Sequence, residues 1–98
     1  MISQKIKKTL NGKSVLITGG TGSLGNELVK IFLNEFSLSR LVVFSRDELK
    51  QSIMAKRYFN YDKKKILRFF LGDVRDNDRL KFAMKNIHYV IHAAALKH

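Results

Sequence analysis

The stretch Ser14-Val-Leu-Ile-Thr-Gly-Gly-Thr-Gly-Ser-Leu-Gly-Asn26 constrains this chain more than any other. Val15, Leu16 and Ile17 form an unbroken apolar run, the pattern of a parallel strand covered on both faces. The glycines that follow permit backbone torsions and close approaches that side chains forbid. Their spacing fits two registers. Gly20, Gly22 and Gly25 satisfy G-x-G-x-x-G, and Gly19, Gly22 and Gly25, preceded by Thr18, satisfy the wider G-x-x-G-x-x-G. Glycine spacing alone is weak, because tight loops use it too. Here it lies between an expected strand and an expected helix, the context that makes it a dinucleotide fingerprint. Amides in the first helical turn lack intrahelical acceptors and sit at the positive end of the helix dipole, so a pyrophosphate fits there.

The rest of the chain repeats the alternation of strand and helix. Leu24, Leu28, Ile31, Phe32 and Phe36 recur at helical intervals, an expected apolar stripe with Lys30, Asn34 and Glu35 outward. Ser37 to Arg40 reads as a connector and Leu41 to Phe44 as a second buried strand, ending in Ser45-Arg46. In a Rossmann unit this strand end meets the adenosine ribose, where an acid selects NAD and a small polar residue with Arg accommodates the 2′-phosphate of NADP. Ser45-Arg46 therefore favours NADP, with Arg46 able to grip phosphate bidentately or lie on adenine and Lys50 adding a second charge. Asp47 keeps NAD open, although Asp47 and Glu48 suit a helix start equally well. The helix expected from Asp47 to Phe59 points Leu49, Ile53 and Met54 inward.

Tyr61 and Lys65 have the Y-x-x-x-K spacing of a catalytic pair, but they precede the third strand, Ile66 to Leu71, rather than following the fourth. Asp73, just past that strand, either contacts adenine or caps its own turn. Asp76 starts a helix expected to bury Leu80, Ala83, Met84 and Ile87, and Tyr89 to His92 is the fourth strand. The small residues Ala93 to Ala95 would let a nicotinamide ribose lie close to the backbone. His88 and His92 lie too far apart along a strand to chelate one ion, so no metal is expected. The fold class is α/β: a partial, truncated Rossmann unit with four parallel strands in order 3-2-1-4 and helices on both faces.

Composition sets the remaining bounds. Ninety-eight residues make one small domain or a piece of a larger one, here a leader over 1–12 and the Rossmann portion over 13–98. Ile2, Ile6 and Leu10 fall four apart among lysines; a basic amphipathic helix is an alternative to the frayed leader we expect. The chain has no Cys and no apolar run that would span a bilayer or serve as a signal core, so the cytoplasm is the expected location, with no membrane partner. The net charge of +11 raises nucleic acid or an anionic membrane as a partner, but the basic residues are scattered without a recognition signature. Solvated surface charge is the expectation.

Four segments carry a resemblance to a known family: Thr18-Gly-Gly-Thr-Gly-Ser-Leu-Gly25, Phe44-Ser-Arg-Asp-Glu-Leu-Lys-Gln51, Gly72-Asp-Val-Arg-Asp76 and His92-Ala-Ala-Ala-Leu-Lys-His98. In this order they closely resemble the N-terminal part of the inverting UDP-N-acetylglucosamine 4,6-dehydratases. These are extended short-chain dehydrogenase/reductases of flagellin-glycan and capsular-polysaccharide synthesis. The second and fourth segments are far more specific than the glycine turn. The resemblance runs from about Asn11 to the last residue.

It implies NADP held by Thr21, Gly22, Ser23 and Leu24 between Gly19 and Gly25, by Ser45, Arg46, Asp47, Glu48, Leu49 and Lys50, by Asp73 and Val74, and by Ala93. Lys97 would reach the sugar nucleotide. In the family, NADP⁺ takes hydride from C4 of the hexose, water leaves across C5 and C6, and hydride returns to C6. The family's Thr-Asp-Lys segment and Tyr-x-x-x-Lys pair fall beyond His98, so no catalytic residue is assigned and the 98 residues are expected not to turn over substrate alone. A homo-oligomer is implied for the full-length enzyme. Fragments of a sugar epimerase or ketoreductase, or a non-catalytic nucleotide- or nucleic-acid-binding module, are the alternatives.

Overall fold

Eight elements occupy the 3–93 region that the computed structural model describes: α1 (Gln4–Leu10), β1 (Ser14–Thr18), α2 (Ser23–Glu35), β2 (Arg40–Ser45), α3 (Glu48–Tyr58), β3 (Leu67–Leu71), α4 (Asn77–Ala83) and β4 (Tyr89–His92). The strands form one parallel sheet in the order β3-β2-β1-β4. Ser14 pairs with Arg40, Leu41 with Leu67 and Val15 with Tyr89, so all four strands begin at one end of the sheet and finish at the other. Crossovers through α2 and α3 step outward to β2 and β3. The α4 crossover returns past β1 to β4, and the chain changes direction between β1 and β4.

Successive side chains of a strand point to opposite faces. Val15, Ile17, Leu41 and Val43 pack with Val29 and Phe32 of α2 and with Met54 and Tyr58 of α3. On the other face Leu16, Val42 and Phe44 meet Ala83, Leu80 and Ile87 from the α4 crossover. Helices thus cover both faces, as the apolar runs of β1 and β2 require. Burying side chains of this size contributes about 1.5–3 kcal/mol each, so the two central strands dominate the stability of the unit. The outer strands β3 and β4 are only partly covered.

Three expectations about helix phase need correction. In α2 the buried residues are Gly25, Val29 and Phe32, while Leu24, expected in the stripe, is exposed. Gly25 sets that phase, because it must lie against the backbone of Gly20. In α3 the buried residues are Gln51, Met54 and Tyr58; Leu49 and Ile53, expected inward, are exposed. Here Gln51 enters the gap between the β2 and β3 ends and rotates the helix accordingly. Met84, also expected inward, is the C-cap of α4 and exposed.

The segment expected as a frayed leader is helical from Gln4 to Leu10. The Ser3 hydroxyl caps it by accepting from Ile6 N–H at 3.2 Å, and none of its residues is buried. No helix among the described residues is long and apolar enough to cross a membrane.

Candidate functional site

The carboxyl ends of β1, β2 and β3 and the turns that follow them enclose a cleft of about 490 Å³. Gly19, Thr21, Ser45, Arg46, Asp47, Lys50, Asp73 and Val74 line it, all sites expected from the sequence, together with Phe44, Gly72 and Arg75. Gly22, Ser23, Leu24, Gly25, Glu48, Leu49 and Ala93 stand outside this lining. Lys97 lies outside the described residues.

The glycines divide the work. Gly19 has φ +65°, a left-handed torsion that starts the turn. A Cβ on Gly25 would fall 2.1 Å from the carbonyl oxygen of Gly20, so its missing side chain serves contact between helix and turn rather than ligand approach. At Gly22 the nearest atom to a Cβ would be 3.8 Å away, and that side is open. Gly22 is also the N-cap of α2, with no side chain to bind the first-turn amides. By contrast, Ser3, Asp47 and Asp76 cap α1, α3 and α4 with side-chain oxygens. The amides of Ser23, Leu24 and Gly25 therefore remain available as donors at the positive end of a 13-residue helix.

Asn26 braces this turn, a role the sequence reading missed. Its Nδ2 donates to the carbonyls of Thr21 (3.2 Å) and Gly22 (3.0 Å), and its Oδ1 accepts from Arg57 at 2.9 Å. Tyr58 Oη donates to the Asn26 carbonyl at 3.1 Å. The end of α3 thereby holds the start of α2, and the turn is fixed before any ligand arrives.

At the end of β2, the buried Nε2 of Gln51 donates to Ser45 Oγ at 2.9 Å and to the Phe70 carbonyl at 3.1 Å. The Ser45 hydroxyl is thus used as an acceptor, leaving its proton free to be donated. Asp47 Oδ1 accepts from Lys50 N–H at 3.0 Å, so this carboxylate caps α3. Across the cleft, Arg75 clamps Asp73 through its backbone N–H (2.9 Å) and its guanidinium (Nη2 at 2.7 Å), while Arg46 Nη1 stands 3.5 Å from the same carboxylate. The Arg75 side-chain hydrogen bonds, then its backbone N–H, hold the Asp73 carboxyl well below the usual carboxylate range, and Arg75 is raised in turn. Asp73 therefore holds its own turn, one of the two roles expected for it, and its side chain also lines the cleft. The aliphatic stem of Arg79 lies beside Gly72, and its Nε donates to the Leu71 carbonyl at 2.9 Å.

The Tyr61/Lys65 pair lies at the opposite end of the sheet, where the Lys65 ammonium sits over the Phe59 ring. His88 Nδ1 accepts from Ser14 N–H at 3.0 Å, and His92 bonds to the Thr18 hydroxyl, so both tie β4 to β1. Among the described residues no group of His, Cys, Asp or Glu could hold a metal ion.

Known proteins are similar to this chain in sequence and fold. A family model described as "Polysaccharide biosynthesis protein" matches residues 15–98. An inverting UDP-N-acetylglucosamine 4,6-dehydratase of Campylobacter jejuni is 49% identical over 88 residues, 90% of this chain and 25% of that protein. A UDP-glucose 4-epimerase of Rickettsia bellii is 46% identical over 88 residues, 87% of this chain and 25% of that protein. The chain spans about a quarter of the length of these relatives. Among solved structures, Pen from Bacillus thuringiensis superposes with a TM-score of 0.79 at 39% identity, covering 91% of this chain and 26% of that one.

Proposed function

The chain belongs to the polysaccharide biosynthesis protein family, and from that premise we propose that it is the NADP-binding portion of an inverting UDP-N-acetylglucosamine 4,6-dehydratase. The observation that carries the cofactor preference is the chemistry at the end of β2. An NAD site needs a free carboxylate there to accept the ribose hydroxyls. The next acid along the chain, Asp47, turns its Oδ1 to cap its own helix, whereas Ser45 has a proton to donate and Arg46 and Lys50 supply positive charge at the same rim. The donor set fits a 2′-phosphate.

In this reading the pyrophosphate lies against the open side of Gly22 and the free amides of Ser23, Leu24 and Gly25. Thr21 and Val74 bound the cleft, Asp73 faces the adenine, and Glu48 and Leu49 at the start of α3 and Ala93 past β4 complete the contact set. Bound there, NADP supplies reversible hydride transfer. The chain's own contribution is to bind and orient it. Lys97 is assigned to the sugar nucleotide, and the whole protein is read as a cytoplasmic lyase and homo-oligomer.

Calorimetry with NADPH and NADH tests the cofactor. A charge-assisted hydrogen bond is worth about 1.5–3 kcal/mol, so NADPH should bind roughly 10- to 150-fold tighter, and Arg46→Ala should remove most of that difference. Equal affinity for the two coenzymes, or a preference untouched by Arg46→Ala, would refute the reading. A second reading, a sugar-nucleotide epimerase, is favoured by the similarity to the Rickettsia enzyme. Assaying the full-length protein on UDP-N-acetylglucosamine separates the two: a dehydratase yields a 4-keto-6-deoxy product lighter by one water, and an epimerase a C4 epimer of unchanged mass.

A further inference from the structure

The charge that looks scattered in sequence is gathered at one end of the fold. Because the sheet is parallel, every segment that precedes a strand arrives at the same end, opposite the cleft. Hydrogen bonds from Gly12 N–H to the Ser37 carbonyl (2.8 Å), from Ser39 N–H to Lys13 (2.9 Å) and from His88 N–H to Ser14 (3.0 Å) tie these segments together. This end holds the three lysines of α1, the run Lys63-Lys64-Lys65, and Lys13, Arg40 and Lys85 just before or at the starts of β1, β2 and β4. Against these nine cations stand two acids. Glu35 pairs with Lys7 at 3.6 Å. Asp62 is buried, and its oxygens accept from the backbone N–H groups of Ile66 (2.9 Å) and Leu67 (3.0 Å). The turns at the cleft end, 46–50 and 73–79, hold four basic residues and five acids. Among the described residues, the segments that precede the strands are therefore far more basic than the turns at the cleft end.

Large apolar side chains stand exposed among those lysines: Ile6 is 51% exposed, Phe59 63% and Tyr61 45%. A hollow of about 730 Å³ opens at the same end, walled by Leu33, Phe36 and Ile66 and rimmed by Lys63 and Lys64. Two polyanions could meet such a face, and the aromatic geometry decides between them. Single-stranded nucleic acid would need open ring faces for stacking, and a duplex, which takes the cations alone, would leave the exposed Ile6, Phe59 and Tyr61 without a partner. The Lys65 ammonium already covers the Phe59 ring, 3.8 Å from its centroid, and the Tyr61 ring meets Tyr58 edge-on at 5.7 Å between centroids. An apolar body crowned by a cation suits the headgroup boundary of a bilayer, where rings sit below and ammonium groups meet phosphate.

We propose that this amino-end face docks on a bilayer rich in anionic phospholipid, so that the cofactor cleft at the other end of the strands faces water. Linear spacing does not show which loops share an end, which is why the sequence alone points to solvated charge and no membrane partner. The proposal does not depend on which coenzyme or sugar the cleft takes.

Co-sedimentation of the full chain with vesicles tests it, comparing phosphatidylcholine alone with equal parts phosphatidylcholine and phosphatidylglycerol. Binding should require phosphatidylglycerol and weaken as salt rises. Each basic residue near such a surface is worth about a factor of five, so the triple variant Lys8→Gln, Lys63→Gln, Lys64→Gln should bind roughly a hundredfold more weakly. The control Lys30→Gln, Arg46→Gln, Lys50→Gln removes the same charge from the middle of α2 and from the cleft end, away from the docking face, and should bind vesicles like the parent. Phe59→Ser should weaken vesicle binding while leaving any retention of duplex DNA unchanged. Binding indifferent to phosphatidylglycerol, equal losses in the two triple variants, or tighter binding to duplex DNA than to vesicles at the same salt would overturn the proposal.

Discussion

Replacing Gly25 and Gly22 in turn by Ala separates folding from binding within one turn. A methyl on Gly25 would sit 2.1 Å from the Gly20 oxygen, 2.3 Å from its carbonyl carbon and 2.4 Å from its Cα, well inside the 3.4 Å at which ordinary contact begins. All three are backbone atoms, so no rotamer change relieves the clash. The start of α2 would have to retreat by more than 1 Å, loosening Val29 and Phe32 behind it. Overpacking of this kind costs about 1–3 kcal/mol and more where the neighbours are rigid. Alanine's helix propensity returns at most about 1 kcal/mol. A net loss of about 3 kcal/mol is expected, which lowers the melting temperature of a unit this size by roughly 12–24 °C. Gly22, with φ −80° and its nearest neighbour at 3.8 Å, accepts the same methyl at a capping cost of at most about 1 kcal/mol. Its methyl would enter the space assigned to the pyrophosphate and should weaken NADPH binding tenfold or more. Thermal melts followed by circular dichroism, with calorimetry on the folded variants, read both effects. A Gly25→Ala protein that melts with the parent, or a Gly22→Ala protein that binds NADPH like the parent, would refute this division of labour.

Two further outcomes follow from the polar contacts. Gln51→Leu leaves Ser45 Oγ and the Phe70 carbonyl without their buried donor and should cost about 1–3 kcal/mol in urea unfolding; an unchanged midpoint would show that the amide is not holding the two strand ends. Asp73 is held below the usual carboxylate range chiefly by Arg75. A depressed carboxyl stabilises the fold above its unfolded pKa, and that contribution is lost as pH falls through the folded one. Since the pair is open to solvent the effect on stability is small, and carboxyl-carbon NMR is the better measurement: in Arg75→Ala, Asp73 should titrate at higher pH than in the parent, and an unmoved titration would reject the clamp.

Much of the sheet was legible because its signals are covalent and local. The runs Val15 to Ile17 and Leu41 to Phe44 are apolar on both faces and bounded by glycine or polar residues, so strand identity, parallel order and the position of the glycine turn followed from the sequence alone. Helix phase did not. Leu24, Leu49 and Ile53 are as apolar as the residues that are buried, and what turns them outward is a tertiary constraint, the Gly25 contact with Gly20 in α2 and the Gln51 amide between two strand ends in α3. A hydrophobic stripe shows that a face is buried but not which of two adjacent faces wins when a backbone contact or a buried amide competes. Arg75 was quoted within a motif and Asn26 closed the first one, yet neither could be assigned a task, because the groups they hold are created by the fold.

The same distinction explains why the cleft can be both charged and well ordered. Arg46, Lys50 and Arg75 all line the cleft, and like charges so gathered would repel unless acids are interleaved. Asp73 supplies that balance twice, clamping Arg75 and standing 3.5 Å from Arg46. The two contacts differ in kind. Arg75 reaches Asp73 within its own turn through a backbone and several side-chain bonds, so it is a fixture. Arg46 comes from a different strand through one long, exposed contact that solvent screens, so a dianionic phosphate can capture it at little cost. In the proposed NADP site one arginine therefore builds the turn and the other is left to bind the phosphate.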